Sequence, residues 1–197
     1  LTASDANAAF GTSAGYAITS GGENLLAGNL AFSNATSATG NTIMGTYAGG
    51  SQTSGDYNIG IGYNIAFPSI TGSNQLNIGN FIYGTGFDGT GTTISAASVG
   101  FGVKAPASKV DITTTGLGVT QTNTSGLLLA NTTAAAAGAQ QMSPALRFRG
   151  QGWKTNATAA SQSVDFINDI LPVQGAAAPT VTMQWKSSIN AEIGRAH

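Results

Sequence analysis

The sequence predicts an all-β chain: a β-solenoid, or β-roll, of about five 17-residue coils, followed by a small antiparallel β-sandwich or a β-prism shared among chains. Three observations predict it. Gly11, Gly28, Gly45, Gly62 and Gly79 fall 17 residues apart without an insertion or deletion. Asn7, Asn24, Asn41 and Asn58 precede four of them at one offset, with Gln75 in the fifth copy, while Ala14, Ala31, Ala48, Ile65 and Ile82 follow at another. Beyond residue 144 apolar residues alternate with polar ones. With 28 glycines in 197 residues, a glycine column alone would mean little. The joint register of three columns means stacked supersecondary units.

Each copy divides the same way. The residues before the glycine alternate as a strand does, in the pairs Ala8 and Phe10, Leu25 and Ala27, Thr42 and Met44, Ile59 and Ile61, Leu76 and Ile78. Met44, Ile61 and Ile78 are expected to point into the coil. A second short strand is expected to carry the Ala/Ile column, and "SGG", "SATG", "TSGD" and "TGSN" form the turns between copies. Glycine supplies positive φ at the corners, and asparagine tolerates it while bonding back to the backbone. A stacked asparagine column can also form a ladder of amides. Residues 1–97 therefore read as a repeat rod, 98–113 as a connector and 114–197 as a second β module.

That module opens on a small, polar stretch whose main apolar run is "GLLLA", read as a strand and loop. From Pro144 alternation returns in Leu146 and Phe148, in Val164, Phe166 and Ile170, and in Val181, Met183 and Trp185. These predict three or four antiparallel strands. In "LRFRGQGWK" the alternation turns Leu146 and Phe148 inward and the arginines outward. The same stretch gathers Arg147, Arg149, Trp153 and Lys154, a candidate contact for an anion or a glycan.

Coils this small offer only about two or three good apolar side chains each. At about 25 cal/mol per Å² of apolar burial, against about 1–2 kcal/mol of backbone entropy per residue, one thin stack is marginal. Oligomerisation is the expected remedy. Leu30, Phe32, Tyr47, Tyr63, Phe67, Phe81 and Tyr83 lie outside the main columns, and some of them are expected to seal chain against chain.

The phrase "NIGIGYNIAFPSITGSNQLNIG" is similar to the coils in heads of trimeric autotransporter adhesins, and closer still to the repeats of trimeric phage tail fibres. "SVGFGVKAPASKVDIT" resembles the connector after such repeats in fibres that often end in an endosialidase-type intramolecular chaperone. Val99, Gly100, Gly102, Pro106, Lys109, Val110 and Asp111 match it; Phe101 replaces the usual Ile, and Val103 and Lys104 replace a Thr pair. The likeness covers roughly residues 5–113, and "ALRFRGQGWKTNATAASQSVDFINDILPVQG" resembles a module that follows the connector. The resemblance implies a homotrimer, a place on a virion or another extracellular surface, and a host-surface glycan or receptor as partner.

Charge divides the chain where the motifs do. Residues 1–103 hold Asp5, Glu23, Asp56 and Asp88 and no Lys or Arg, whereas residues 104–197 hold seven bases and four acids. Nucleic acid is not an expected partner, since the rod has no basic stripe. Nor is a membrane, because no apolar run of 18 residues exists. The start without Met, with no signal peptide, and the end at "AEIGRAH" point to a piece of a longer polypeptide.

Chemistry is equally sparse. The only histidine is His197 and there is no cysteine, so no Ser-His or Cys-His couple and no ordinary zinc site is available. Neither a cofactor nor a metal is expected. Asp165 and Asp169, read as solvent-facing strand residues, would stand about 13 Å apart, beyond the about 5–9.5 Å of glycosidase pairs. Asp56 and Asp88 read as turn formers. Sparse chemistry makes a non-enzymatic role the expectation, and the resemblance implies that this role is a spacer in a trimeric viral fibre. A bacterial surface adhesin and, behind it, a polysaccharide-degrading spike are the other readings.

Overall fold

The structure is a computed structural model that describes residues 6–115, 127–154, 160–175, 178–189 and 192–195. The chain is all-β and forms two compact units, Leu1–Gly126 and Leu127–His197. In the first, β1 (Ala8–Phe10), β2 (Leu25–Ala27), β3 (Thr42–Met44), β4 (Ile59–Ile61) and β5 (Gln75–Ile78) lie parallel and adjacent, in chain order. Ala9 pairs with Leu26, Leu26 with Ile43, Ile43 with Gly60 and Gly60 with Asn77, so the 17-residue period is the register of a β-solenoid of about four turns.

The two faces of this sheet are the reverse of the sequence expectation. Leu26 and Ile43, the middle residues of their strands, are fully buried. Met44 is 43% exposed, Ile61 40% and Ile78 36%. Alternation explains the reversal. The asparagine preceding each strand is itself inward, with Asn24, Asn41 and Asn58 all buried. Period two then sends the middle residue inward and both of its neighbours outward. An interior amide ladder and an inward Met44 are mutually exclusive.

The second expected strand is absent. Ala14, Ala31 and Ala48 lie in turns, Ile65 in irregular chain and Ile82 in a later strand, while the far corner of the coil is linked by the isolated parallel bridges Ser20 to Ser37 and Ser37 to Ser54. The first four are still core: Ala14, Ala31, Ala48 and Ile65 pack with Ile18, Leu26, Phe32, Ala35, Ala38, Ile43 and Phe67. Phe32, Phe67 and Tyr83 thus fill the chain's own interior instead of sealing it to another chain. Tyr47, Tyr63 and Phe81 are exposed. Space is shared between coils: a Cβ on inward Gly60 would come within 2.8 Å of both Ile65 and Phe67.

The stack dictates backbone conformation column by column. A Cβ on Gly11, at φ 123°, would sit 2.7 Å from the Gly28 carbonyl oxygen of the next coil. Another column turns left-handed at Ala6, Glu23, Gly40, Tyr57 and Asn74, with φ of 68°, 61°, 68°, 57° and 57°. Only Gly and Asn take that region at little cost; other residues lose about 1–2 kcal/mol. Glu23 is exposed. Glu23→Asn is therefore expected to stabilise the chain by about 0.5–1 kcal/mol, read as a higher thermal or urea midpoint; an unchanged or lower midpoint contradicts the column assignment.

The fifth copy does not complete a coil. Asn77 occupies the inward position, accepting the Asn80 N–H at 2.9 Å and donating to the Ala66 carbonyl at 2.8 Å. The chain then reverses into β6 (Ile82–Thr85), antiparallel to β5, and runs on through β7 (Ser98–Phe101) to β8 (Val110–Ile112). An interior amide in place of an apolar side chain turns the backbone instead of receiving another layer. The stretch 98–113, set apart in the sequence as a connector, supplies β7 and β8, which extend the rod's own sheet to eight strands. Gly100 has a steric reason to be glycine, since a Cβ there would meet Val103 Cγ1 at 2.7 Å.

The second unit is one antiparallel sheet in the order β12-β11-β10-β9, made of β9 (Leu146–Lys154), β10 (Ala160–Val173), β11 (Thr180–Ile189) and β12 (Glu192–Arg195). Residues 116–126, part of the expected strand and loop, and the side chain of Trp185 lie outside the described residues.

Candidate functional site

The asparagine column forms a continuous ladder through the rod. The Asn24 amide and backbone N–H both donate to Asn7 Oδ1, at 2.8 and 3.0 Å. Asn41 repeats this on Asn24 Oδ1, each at 2.9 Å. The backbone N–H of Asn58 then donates to Asn41 Oδ1, and that of Gln75 to Asn58 Oδ1, both at 2.9 Å. Each asparagine also reaches the corner, as Asn24 does to Ala38 O at 2.8 Å and Asn58 to Gly72 O at 3.0 Å. Gln75 bends back onto Ser69 O and Gly72 O at the ladder's foot. Thr19, Thr36 and Thr53 donate from coil to coil in a second ladder, to Thr36 O, Thr53 O and Ile70 O. The 17-residue spacing of Thr19, Thr36 and Thr53 is the sequence signal of this second ladder.

With the amides inside, the apolar alternation is left outside. Phe10, Leu25, Met44, Ile59, Ile61 and Ile78 are all exposed on one face of the parallel sheet, which carries no charged side chain. A run of large apolar side chains exposed on one face is the kind of patch that marks an interaction surface.

The second unit has the same character. Among its described residues only Ile167 is a buried hydrophobic. One face of its sheet carries Leu146, Phe148, Val164, Ile170, Val181 and Met183, all exposed, with Phe148 at 57%. The rings of Phe148 and Phe166 lie 6.1 Å apart on this face. It was expected to face inward, yet these side chains are exposed, with Leu127, Leu128 and Leu129 beside Leu146 and Ile170 at one end.

Charge lies on the opposite face. Asp165 and Asp169, expected in solvent, are 5% and 7% exposed. Cross-strand neighbours bury them. Asp165 accepts from Arg149 Nε at 2.7 Å and Nη2 at 2.9 Å, with Arg147 at 3.6 Å, while Lys186 Nζ reaches Asp169 at 2.6 Å. The long basic side chains lie over the central strand with their heads toward water. The Asp165 carboxylate, by hydrogen bond and by charge, holds the Arg149 pKa above its ordinary value.

Of the four residues singled out for glycan contact, the structure brings Arg147 and Arg149 together on one carboxylate. Trp153 is 68% exposed and paired with Ser161 farther along β9, about 13 Å from Arg149 at strand rise. The Lys154 side chain lies outside the described residues.

No protein-family model, curated protein or solved structure matches the chain.

The arrangement can associate more readily than it can react. Both apolar faces are dominated by hydrophobic side chains and gather few of the converging polar groups a small ligand requires. Each face exposes six large hydrophobic side chains, the kind of surface that stable interfaces cover.

Proposed function

We propose that the chain is a non-enzymatic structural segment of a fibre, assembled as a homotrimer, that holds a receptor-binding region away from a viral particle. The observation that carries this reading is the pair of open apolar faces, one on the rod and one on the second unit. A lone sheet with a bare apolar face is marginal in water, and further copies of the same chain supply matching apolar faces in equal number. Three copies bury each face against its own counterparts, rod to rod and sheet to sheet, and leave the Asp165 and Asp169 ion pairs outside the sheet contact. The resemblance of the coils and of residues 98–113 to trimeric tail fibres supports the number three and the viral setting.

As a spacer the rod is economical. Each parallel strand adds about 4.8 Å of axial rise, so five strands span about 24 Å. Immunogold imaging with an antibody against this segment tests the assignment. Label on thin fibres projecting from virions is the expected result; label on a bacterial cell surface would instead favour an adhesin.

A further inference from the structure

After β6, residues 86–97 leave the sheet and fold back onto the rod. The Phe87 N–H donates to the Asn74 carbonyl at 3.1 Å, and the Gly89 N–H to Ser95 Oγ at 2.7 Å. Between this loop and the rod lies a cavity of about 320 Å³ lined by Tyr57, Asn74, Phe87, Asp88, Gly89 and Thr90. That volume lies within the range of small-ligand sites.

Both aromatic rings are seated on glycines. A Cβ on Gly40 would lie 2.6 Å from the Tyr57 ring, and one on Gly84 would collide with the Phe87 ring. Tyr57 also holds a left-handed backbone, φ 57°, that its stacked neighbours reach with Gly40 and Asn74. Asp88 is exposed and makes no ion pair among the described residues.

We propose that this cavity is a subsite for one uncharged sugar ring. The C–H face of a pyranose packs on an aromatic ring, and its neighbouring hydroxyls need acceptors and donors side by side. Asp88 accepts, the Asn74 amide does both, and the Thr90 hydroxyl does both. An acidic sugar is disfavoured, because it would meet the Asp88 carboxylate in a rod whose first 103 residues hold no Lys or Arg. An organic cation would suit the aromatics and Asp88, but would leave the amide and hydroxyl unused. The site is independent of the number of copies in the assembly and of the viral setting.

The test uses the whole 197-residue chain and ligand-observed NMR with D-glucose, D-galactose, D-mannose, N-acetylneuraminic acid and tetramethylammonium as separate probes. At least one neutral hexose is expected to bind with a dissociation constant in the millimolar range, and Tyr57→Ala and Asp88→Asn each to weaken it about tenfold or more. Tyr63→Ala, an exposed ring outside the cavity, is expected to leave binding unchanged. Both cavity variants should keep the wild-type melting profile, since their side chains are exposed. Absence of hexose binding would overturn the proposal, as would hexose binding indifferent to Tyr57→Ala and Asp88→Asn. Binding of tetramethylammonium alone, lost on Asp88→Asn, would overturn the sugar assignment in favour of a cation.

Discussion

Ile43→Asp is expected to abolish folding of the rod, whereas Ile61→Asp is expected to leave each chain folded and to prevent its association. The substitution is chemically the same and the two residues lie in adjacent coils, but their side chains point in opposite directions. Ile43 is fully enclosed by the core that includes Ala48, Ile65 and Phe67. Removing its side chain costs about 2–5 kcal/mol, and a carboxylate left there has no partner and must be protonated at further cost. That is most of the about 5–15 kcal/mol by which a domain is stable. Ile61 is 40% exposed on the open face, so an aspartate there costs a single chain about 1 kcal/mol or less. In a trimer it sets like charges into an apolar interface. Circular dichroism melting and sedimentation velocity on both variants separate the two effects; equal loss of folding would contradict the assignment of faces.

Asn41→Ala is expected to cost about 3 kcal/mol. The Asn41 side chain donates to Asn24 Oδ1, Thr39 O and Gly55 O and accepts the Asn58 N–H, all in a buried position. Alanine removes one bonding partner from several buried groups at once, and each such orphaned group costs about 1–3 kcal/mol, offset in part by relaxation. Asn29→Ala is the control, because Asn29 is exposed and makes one long bond, 3.3 Å to Thr12 O; it should change stability by less than about 0.5 kcal/mol. Denaturant unfolding measures both. A loss at Asn41 no larger than that at Asn29 would mean that the ladder adds nothing to the rod.

The period was legible because a solenoid writes its axial register into the chain: one glycine column, one asparagine column, one coil per repeat. Which face of the three-residue strand points inward was harder to read. Apolar residues stand on both sides of each middle residue, and hydrophobicity alone selects the pair over the single Leu26 or Ile43. The asparagines decide it, since amides that bond coil to coil must lie inside, and alternation then fixes the rest. Asp165 and Asp169 were misread for a related reason. A charged residue in an alternating strand reads as solvent-facing, yet cross-strand register places Arg149 opposite Asp165 and brings Lys186, opposite Ile167, onto the Asp169 carboxylate, and only that register reveals the partners that bury them. The cavity beside Tyr57 could not be read at all, because Phe87 and Asp88 come from outside the repeat while Tyr57 and Asn74 are one coil apart within it.

Sedimentation equilibrium of the full chain at micromolar concentration tests most directly whether the open apolar faces are buried between copies. A single species of three times the chain mass is the predicted result, and Ile61→Asp should reduce it to one. A stable, soluble wild-type monomer at that concentration would contradict it.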